Sequence, residues 1–549
     1  MNEFRKMRKK LSGLLLLVVV SSLAFTACKK QVQEESAYEP DQIDQHLAAE
    51  TNFTEKYRPQ FHYSPRTNWM NDPNGLVYHN GVYHLFYQYN PFGNRWGYMS
   101  WGHATSNNLV HWSHKAVAIP YGKEQEEGIF SGSAVVDHQN SSGFGNDGNP
   151  PIVAIYTSHY TLDEGSTDQA QSLAYSLDGG ETFTKYEENP VLEFDDPNFR
   201  DPNVSWNEEM EKWLMVVALP AQHKVQFYSS DNLKDWEFLS DFGPAGATGG
   251  IWECPDFFRL PVNGDENNQK WVLHVDMNPG SIAGGSGSQY FVGEWNGTSF
   301  IPDEDFMETA PHWVDYGTDF YAAISWNNIP EEDGRQLWVG WMNNWDYANE
   351  IPTDPWRSAM SIPRSIHLVS YNDSYQLVQR PIEDLRQLRD DPVLLESLEI
   401  NNETVDLSQR NISGKAFEMI VEIDPGEAET VGINVRESEI QQTVIGYDRE
   451  KQRVFVDRTN SGKSDFYEGF EQRNDAPAEL IDGQIRLHVF VDWSSVEVFV
   501  NNGSRVITNR IFPEPGSIGV SAFAEGGTAT ITNLEFWLLE SIWTETVLE

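Results

Sequence analysis

Three acidic residues stand in short polar signatures far apart in the chain. Asp72 lies in Trp69-Met70-Asn71-Asp72-Pro73-Asn74-Gly75, Asp201 in Arg200-Asp201-Pro202, and Glu253 in Trp252-Glu253-Cys254-Pro255. Each signature leads into a strand-like segment: Leu76-Val77-Tyr78, Asn203 to Trp206, and Asp256 to Leu260. Carboxylates at equivalent places of repeated units can meet at one centre. A carboxylate pair across one sugar bond is what glycoside hydrolysis needs, one group attacking or activating water and the other protonating the leaving oxygen. Other chemistries have less support. The sequence has no His-Glu-x-x-His, no cysteine pair for zinc and no phosphate loop, so neither metal nor cofactor is expected. Cys254 lacks a His/Asn pairing that would make it a nucleophile.

The elements that must position these residues repeat five times between about residues 60 and 380. Each copy has a first strand, a polar turn and a very apolar second strand. Examples are Gly75 to Tyr78 with Val82 to Tyr87, and Phe320 to Ile324 with Leu337 to Trp341. Five such hairpins predict a five-bladed β-propeller. Asp72, Phe130-Ser131, Asp201, Glu253 and Asp319 each fall just before a first strand. They are therefore expected to ring one end of the central funnel. Ser176-Leu177-Asp178-Gly179-Gly180 reads as a structural turn. After residue 392, period-2 segments such as Ala416 to Ile423 and Leu487 to Asp492, with an Asn-Gly turn at Asn502-Gly503, predict a β-sandwich. The fold class is all-β: a propeller over 57–380, a linker over 381–392 and a sandwich over 393–540.

With 549 residues, two domains are the prior. The formal charge of −45, spread along the chain, disfavours nucleic acid as a partner, because phosphate binding needs a basic surface. The 19 Trp, 22 Tyr and 29 Phe suit a surface that stacks sugar rings, and equally suit strands. Arg5 to Lys10 and the apolar run Leu11 to Ala27 form an export signal over 1–27. It ends at Cys28, and the pattern resembles a bacterial lipoprotein signal, with Cys28 the lipidated residue that joins the protein to a membrane. Residues 28–56 are expected to be a flexible tether. Cys28 and Cys254 are the only cysteines, so lipidation of the first leaves no disulfide.

At these residues the chain resembles glycoside hydrolase family 32, the fructan hydrolases and invertases. The pieces that carry the likeness are Trp69 to Gly75, Phe86 to Pro91, Trp101 to Ser106, Phe130 to Ser133, Phe199 to Pro202, Trp252 to Pro255 and Pro355 to Ser358. The sandwich segment Asp492 to Phe499 completes the set. The resemblance implies Asp72 as nucleophile, Glu253 as general acid and then base, and Asp201 as transition-state stabiliser. It places Asn71, Gln88, Trp96, Ser131, Arg200 and Asp319 around a first fructose site, walled by Trp69, Phe130, Trp341 and Trp345. It implies a fructan or fructo-oligosaccharide substrate, such as levan, inulin or sucrose. Endo-acting inulinases of the family often carry Glu where this chain has Asp72, which favours exo action. Endo-levanase, fructosyltransferase and fructan-binding surface protein are the alternatives.

Overall fold

The structure is a computed structural model that describes residues 43–123, 126–146, 148–162 and 166–543. The expected export signal, Cys28 and most of the expected tether lie outside the described residues. The last part of that tether is not a free linker. The short helix Gln45–Ala48 lies against the first blade, where the Asp44 carboxylate accepts from the Val117 amide and buried His46 bonds the Lys115 carbonyl. Phe53 stacks on Trp543 at 4.1 Å. The described segment between 43 and 56 is thus docked, which corrects the sequence reading.

Five antiparallel units follow. Their innermost strands are Asn68–His79, Glu127–Val136, Arg200–Asn207, Ile251–Val262 and Tyr321–Ser325. Each pairs with the next strand in the chain: Val82–Asn90, Ile152–Thr161, Lys212–Leu219, Asp265–Asn278 and Gln336–Trp341. Four of the second strands are mostly buried, because both of their faces meet neighbouring blades, which explains their apolar sequences; the fourth, Asp265–Asn278, is buried only from Val272 to Met277. The ring closes where Trp356–Arg357, from the fifth blade's long loop, pairs parallel with Asn68–Trp69 of the first.

All five innermost hairpins carry the same irregularity. Two residues of the inner strand face one of its partner: Asn71-Asp72 opposite Gln88, Phe130-Ser131 opposite Thr157, and Asp201-Pro202 opposite Val217. Cys254-Pro255 lies opposite Val275, and Ala322-Ala323 opposite Gly340. These are β-bulges, which bend a strand and re-aim its side chains. Asp201, Cys254 and Ala322 take up the bend with φ of 64°, 44° and 53°. The signatures therefore lie inside the first strands, not just before them.

Side-chain to backbone bonds tie each inner strand to the next. Asn74 accepts from the Gly132 amide at 3.1 Å, Ser133 from Val204 at 2.9 Å, and Asp256 from Ser325 at 2.8 Å. The Asn327 amide group, from the fifth blade, donates to the carbonyls of Ala134 and Val204 at 2.9 Å each, while its backbone pairs with Leu76 and Tyr78.

The segment Glu383–Leu388 forms a short 3-10 helix with Leu385 and Leu388 buried. Beyond it, a seven-stranded and a six-stranded antiparallel sheet enclose one aliphatic core that includes Val421, Ile433, Val489 and Ile531. This is the expected β-sandwich. It meets the propeller through buried polar pairs. His62 bonds Asp492 at 2.8 Å and Glu497 at 2.9 Å, and Arg364 bonds Glu497 and Asp315.

Candidate active site

The bulges of the first four blades turn their polar side chains into one cleft of about 350 Å³. Asn71, Asp72, Gln88, Trp96, Phe130, Ser131, Arg200, Asp201 and Glu253 all line it. Larger hollows of about 1,020 and 590 Å³ exist elsewhere, but neither holds any of the three carboxylates.

The three acids are held differently. Oδ2 of Asp72 accepts from the Ser131 hydroxyl at 2.7 Å, while its buried Oδ1 has no partner. Burial pushes the Asp72 pKa up to about 6; the Ser131 hydrogen bond opposes the shift and the charge of Glu253 adds to it. Asp201 accepts from the Cys254 amide at 3.0 Å, and its own amide donates to Thr157 Oγ1. Burial raises its pKa as well, against the pull of Arg200. Glu253 is gripped on both oxygens: Arg200 donates two bonds to Oε1, at 2.9 and 3.1 Å, and the Tyr321 hydroxyl donates to Oε2 at 2.6 Å. Burial, and then the negative charge of Glu253, keep the Tyr321 hydroxyl protonated, so it is a fixed donor.

Neighbouring residues on a strand point to opposite faces. Trp252 accordingly turns away from Glu253, into the core between blades three and four, with its indole N–H on the Ala247 carbonyl. The chemical environment of Glu253 comes from Arg200 and Tyr321 rather than from Trp252. The Cys254 thiol is buried 3.8 Å from Asp72 and 3.7 Å from Asp201.

Two expected wall residues, Trp69 and Trp341, and the expected fructose-site residue Asp319 lie elsewhere. Trp69 and Trp341 are both 0 % exposed and belong to a packed aromatic cluster behind the cleft. The Trp69 indole N–H does reach Asn71 Oδ1 at 2.7 Å, so it props a cleft residue from behind. Trp345 and Phe130, both half-buried and packed against that cluster, reach the cleft surface. Asp319 is also 0 % exposed. It accepts from Tyr347, Arg458 and the Arg510 amide, a buried knot between propeller and sandwich. Its position before an inner strand put it in the funnel; its actual cationic partner comes from the other domain.

His159, Gln169, Ile251 and Asn278 line the cleft without having been picked out in the sequence. His159 stacks on Phe130 with ring centres 4.3 Å apart, and Gln169 accepts from Arg200 at 3.3 Å. Both sit on the hairpin of Ile152–Thr161 and Thr167–Ser176, paired over ten residues and directly opposite each other. Its length, ten residues per strand where five or six is usual, is the one signal that could have pointed to them.

A propeller whose inner bulges gather a nucleophile-type carboxylate, a gripped glutamate and a third acid in one cleft has the makings of a glycosidase. The comparisons with known proteins agree. Residues 62–381 match the model of the glycosyl hydrolases family 32 N-terminal domain, and 384–538 that of the family 32 C-terminal domain. The levanase of Bacillus subtilis (strain 168) is 45% identical over 504 residues, covering 89% of this chain and 72% of that protein. The extracellular exo-inulinase of Aspergillus awamori is 43% identical over 521 residues, 90% of this chain and 96% of that protein. Among solved structures, the A. awamori exo-inulinase superposes with a TM-score of 0.83 at 42% identity, covering 90% of this chain and all of that one. The fructofuranosidase of Schwanniomyces occidentalis complexed with fructose gives 0.81 at 33%, with coverage of 90% and 100%. The chain belongs to glycosyl hydrolase family 32 and is a glycoside hydrolase.

Proposed function

We propose that this protein is a retaining, exo-acting β-fructosidase that removes terminal fructose from levan, inulin and short fructo-oligosaccharides. The observation that carries the reading is the meeting of Asp72, Asp201 and Glu253 in one small cleft, with Asp72 Oδ1 unpartnered and Glu253 held on both oxygens. In the first step Asp72 attacks the anomeric C2, and Glu253 passes its proton to the departing oxygen. Bond breaking runs ahead of bond making, through an oxocarbenium-like state. Arg200 and Tyr321 steady the carboxylate left on Glu253. In the second step Glu253 takes a proton from water, which attacks C2 and releases fructose and Asp72. Asp201 accepts fructose hydroxyls, bonds that strengthen as positive charge develops on the sugar.

A cleft of about 350 Å³ suits a chain end better than a chain interior. The names of the relatives, levanase and exo-inulinase, favour the same substrates. Cys28 and the signal before it favour export and a lipid anchor. The test is a time course of purified protein on levan, inulin and sucrose with products separated by size. Fructose alone from the earliest points is expected. Early mixed oligosaccharides would mean endo action, and larger products from sucrose would mean transfer. For the anchor, Cys28→Ala should move the protein out of the membrane fraction.

A further inference from the structure

Acids outnumber bases in this chain by 83 to 38, so its surface as a whole repels anions. One pocket of about 240 Å³ is an exception. It opens between the segment that precedes the first blade and the sandwich, and it shares no residue with the catalytic cleft. Lys56, Lys415 and Arg436 line it, and no carboxylate does. Lys56 has a counterion, the exposed Glu514 at 2.9 Å. Among the described residues, neither of the other two cations has a carboxylate within ion-pair distance. Lys415 Nζ lies 4.5 Å over the Trp493 ring instead. Arg436, 1% exposed, spends Nε and Nη1 on the carbonyls of Ser517, Lys415, Asp492 and Trp493. The Asp492 carboxylate attracts it, but accepts from the amides of Gln60, Phe61 and Trp493 and bonds His62. Burial lowers the Arg436 pKa to about 10, which Asp492 only partly offsets.

A second observation points the same way. Tyr57 lines this pocket, and its buried hydroxyl has no hydrogen-bond partner. Buried polar groups are normally paired, so this hydroxyl is an open donor. Tyr57 and Arg436 are also held at φ of 75° and 50°, a backbone region that bulky residues rarely adopt. The donors select the ligand. Two ammonium groups, a guanidinium and a hydroxyl suit a compact oxyanion, whose several oxygens accept charge-assisted bonds. The walls of Trp493, Pro513 and Pro515 keep the surroundings weakly polar, where such bonds are stronger than in water. The pocket is smaller than the roughly 300–1,000 Å³ of sites for drug-sized ligands, so the ion is small.

We propose that this pocket binds a tetrahedral oxyanion of the phosphate or sulfate type, which ties the segment before the propeller to the sandwich. The ion is either free or the phosphate of a lipid headgroup; the chemistry that holds it is the same. Calorimetric titration of the purified protein with inorganic phosphate, and with sulfate, against chloride at equal ionic strength tests the site. Saturable one-to-one binding is expected, and saturating phosphate should raise Tm by about 1–3 °C. Lys415→Gln and Tyr57→Phe remove one charge and one hydroxyl. Each should weaken binding by about 5–20-fold and leave sucrose hydrolysis unchanged. Sedimentation of Cys28→Ala protein with phosphatidylcholine vesicles that hold phosphatidic acid separates the two sources. Carry-down that Lys415→Gln abolishes assigns the headgroup; phosphate binding without carry-down assigns the free ion. No saturable binding of phosphate or sulfate, or binding that both variants leave unchanged, overturns the site.

Discussion

At the scale of single residues, the site exchanges stability for chemistry. Asp72 is buried with one oxygen unpartnered, and its pKa is raised to about 6. The nucleophile has to be ionised, so kcat/KM should fall as pH drops through about 6, whatever the basic limb does. The same shift makes a stability prediction of definite sign. In the unfolded chain the carboxyl ionises near pH 4, but in the folded protein only near 6. Between these values the folded state holds more protons, so stability falls as pH rises. Asp72→Asn removes that loss. The variant should lose activity by about 10³-fold or more while unfolding at a higher temperature than the parent. That difference should be near zero at pH 4 and full above pH 6, where a shift of this size corresponds to about 3 kcal/mol. Thermal unfolding scans at pH 4, 5, 6 and 7 check it; a gap independent of pH would assign the effect to something other than this carboxyl. Tyr321 offers a second check. Tyr321→Phe frees Oε2 of Glu253 while keeping the ring, and should lower kcat by about 10- to 100-fold with little change in KM for sucrose.

At the scale of elements, the bulge common to all five inner hairpins is the device that makes a site out of a repeat. The repeat itself was legible in the sequence, because each second strand has a stretch buried on both faces that reads as a largely apolar run. The bulges were not, because one extra residue leaves the composition of a strand unchanged and shows only against its partner. That is why the signatures looked as if they preceded the strands, when they lie within them. The fifth bulge carries no acid. At Ala322 it holds a non-glycine residue at φ 53°, fully buried and next to Tyr321. A β-branched side chain is a poor fit to that backbone and to the packing around it. Ala322→Val should therefore destabilise by about 2–4 kcal/mol and lower kcat by shifting Tyr321. Ala322→Gly relieves the backbone but gives up a buried methyl, so it should stay within about 1 kcal/mol of the parent. Urea unfolding of the two variants, read beside sucrose kinetics, separates the cases.

At the scale of the whole molecule, what the sequence could not reveal was which polar residues are claimed by the other domain. Asp72, Asp201 and Glu253 could be read because each sits in a contiguous motif and points to the axis. Asp319 sits at the matching place in the fifth blade, yet its partner Arg458 lies 139 positions further on. Nothing local announces that pairing. Both side chains are fully buried, 2.8 Å apart, and the Arg458 guanidinium also lies over the Phe470 ring at 3.9 Å. Removing one member of such a pair leaves a charge buried without its counterion, at a cost of roughly 3–5 kcal/mol. Asp319→Ala should accordingly lower the unfolding temperature of propeller and sandwich together. Adding Arg458→Leu should recover much of the loss, since the stranded charge goes with it. The decisive reading is kinetic. At 25 °C, well below unfolding, Asp319→Ala should keep kcat/KM for sucrose within about tenfold of the parent, because Asp319 faces the sandwich and not the sugar. A collapse on the scale of Asp72→Asn, unrelieved by Arg458→Leu, would return Asp319 to the fructose site.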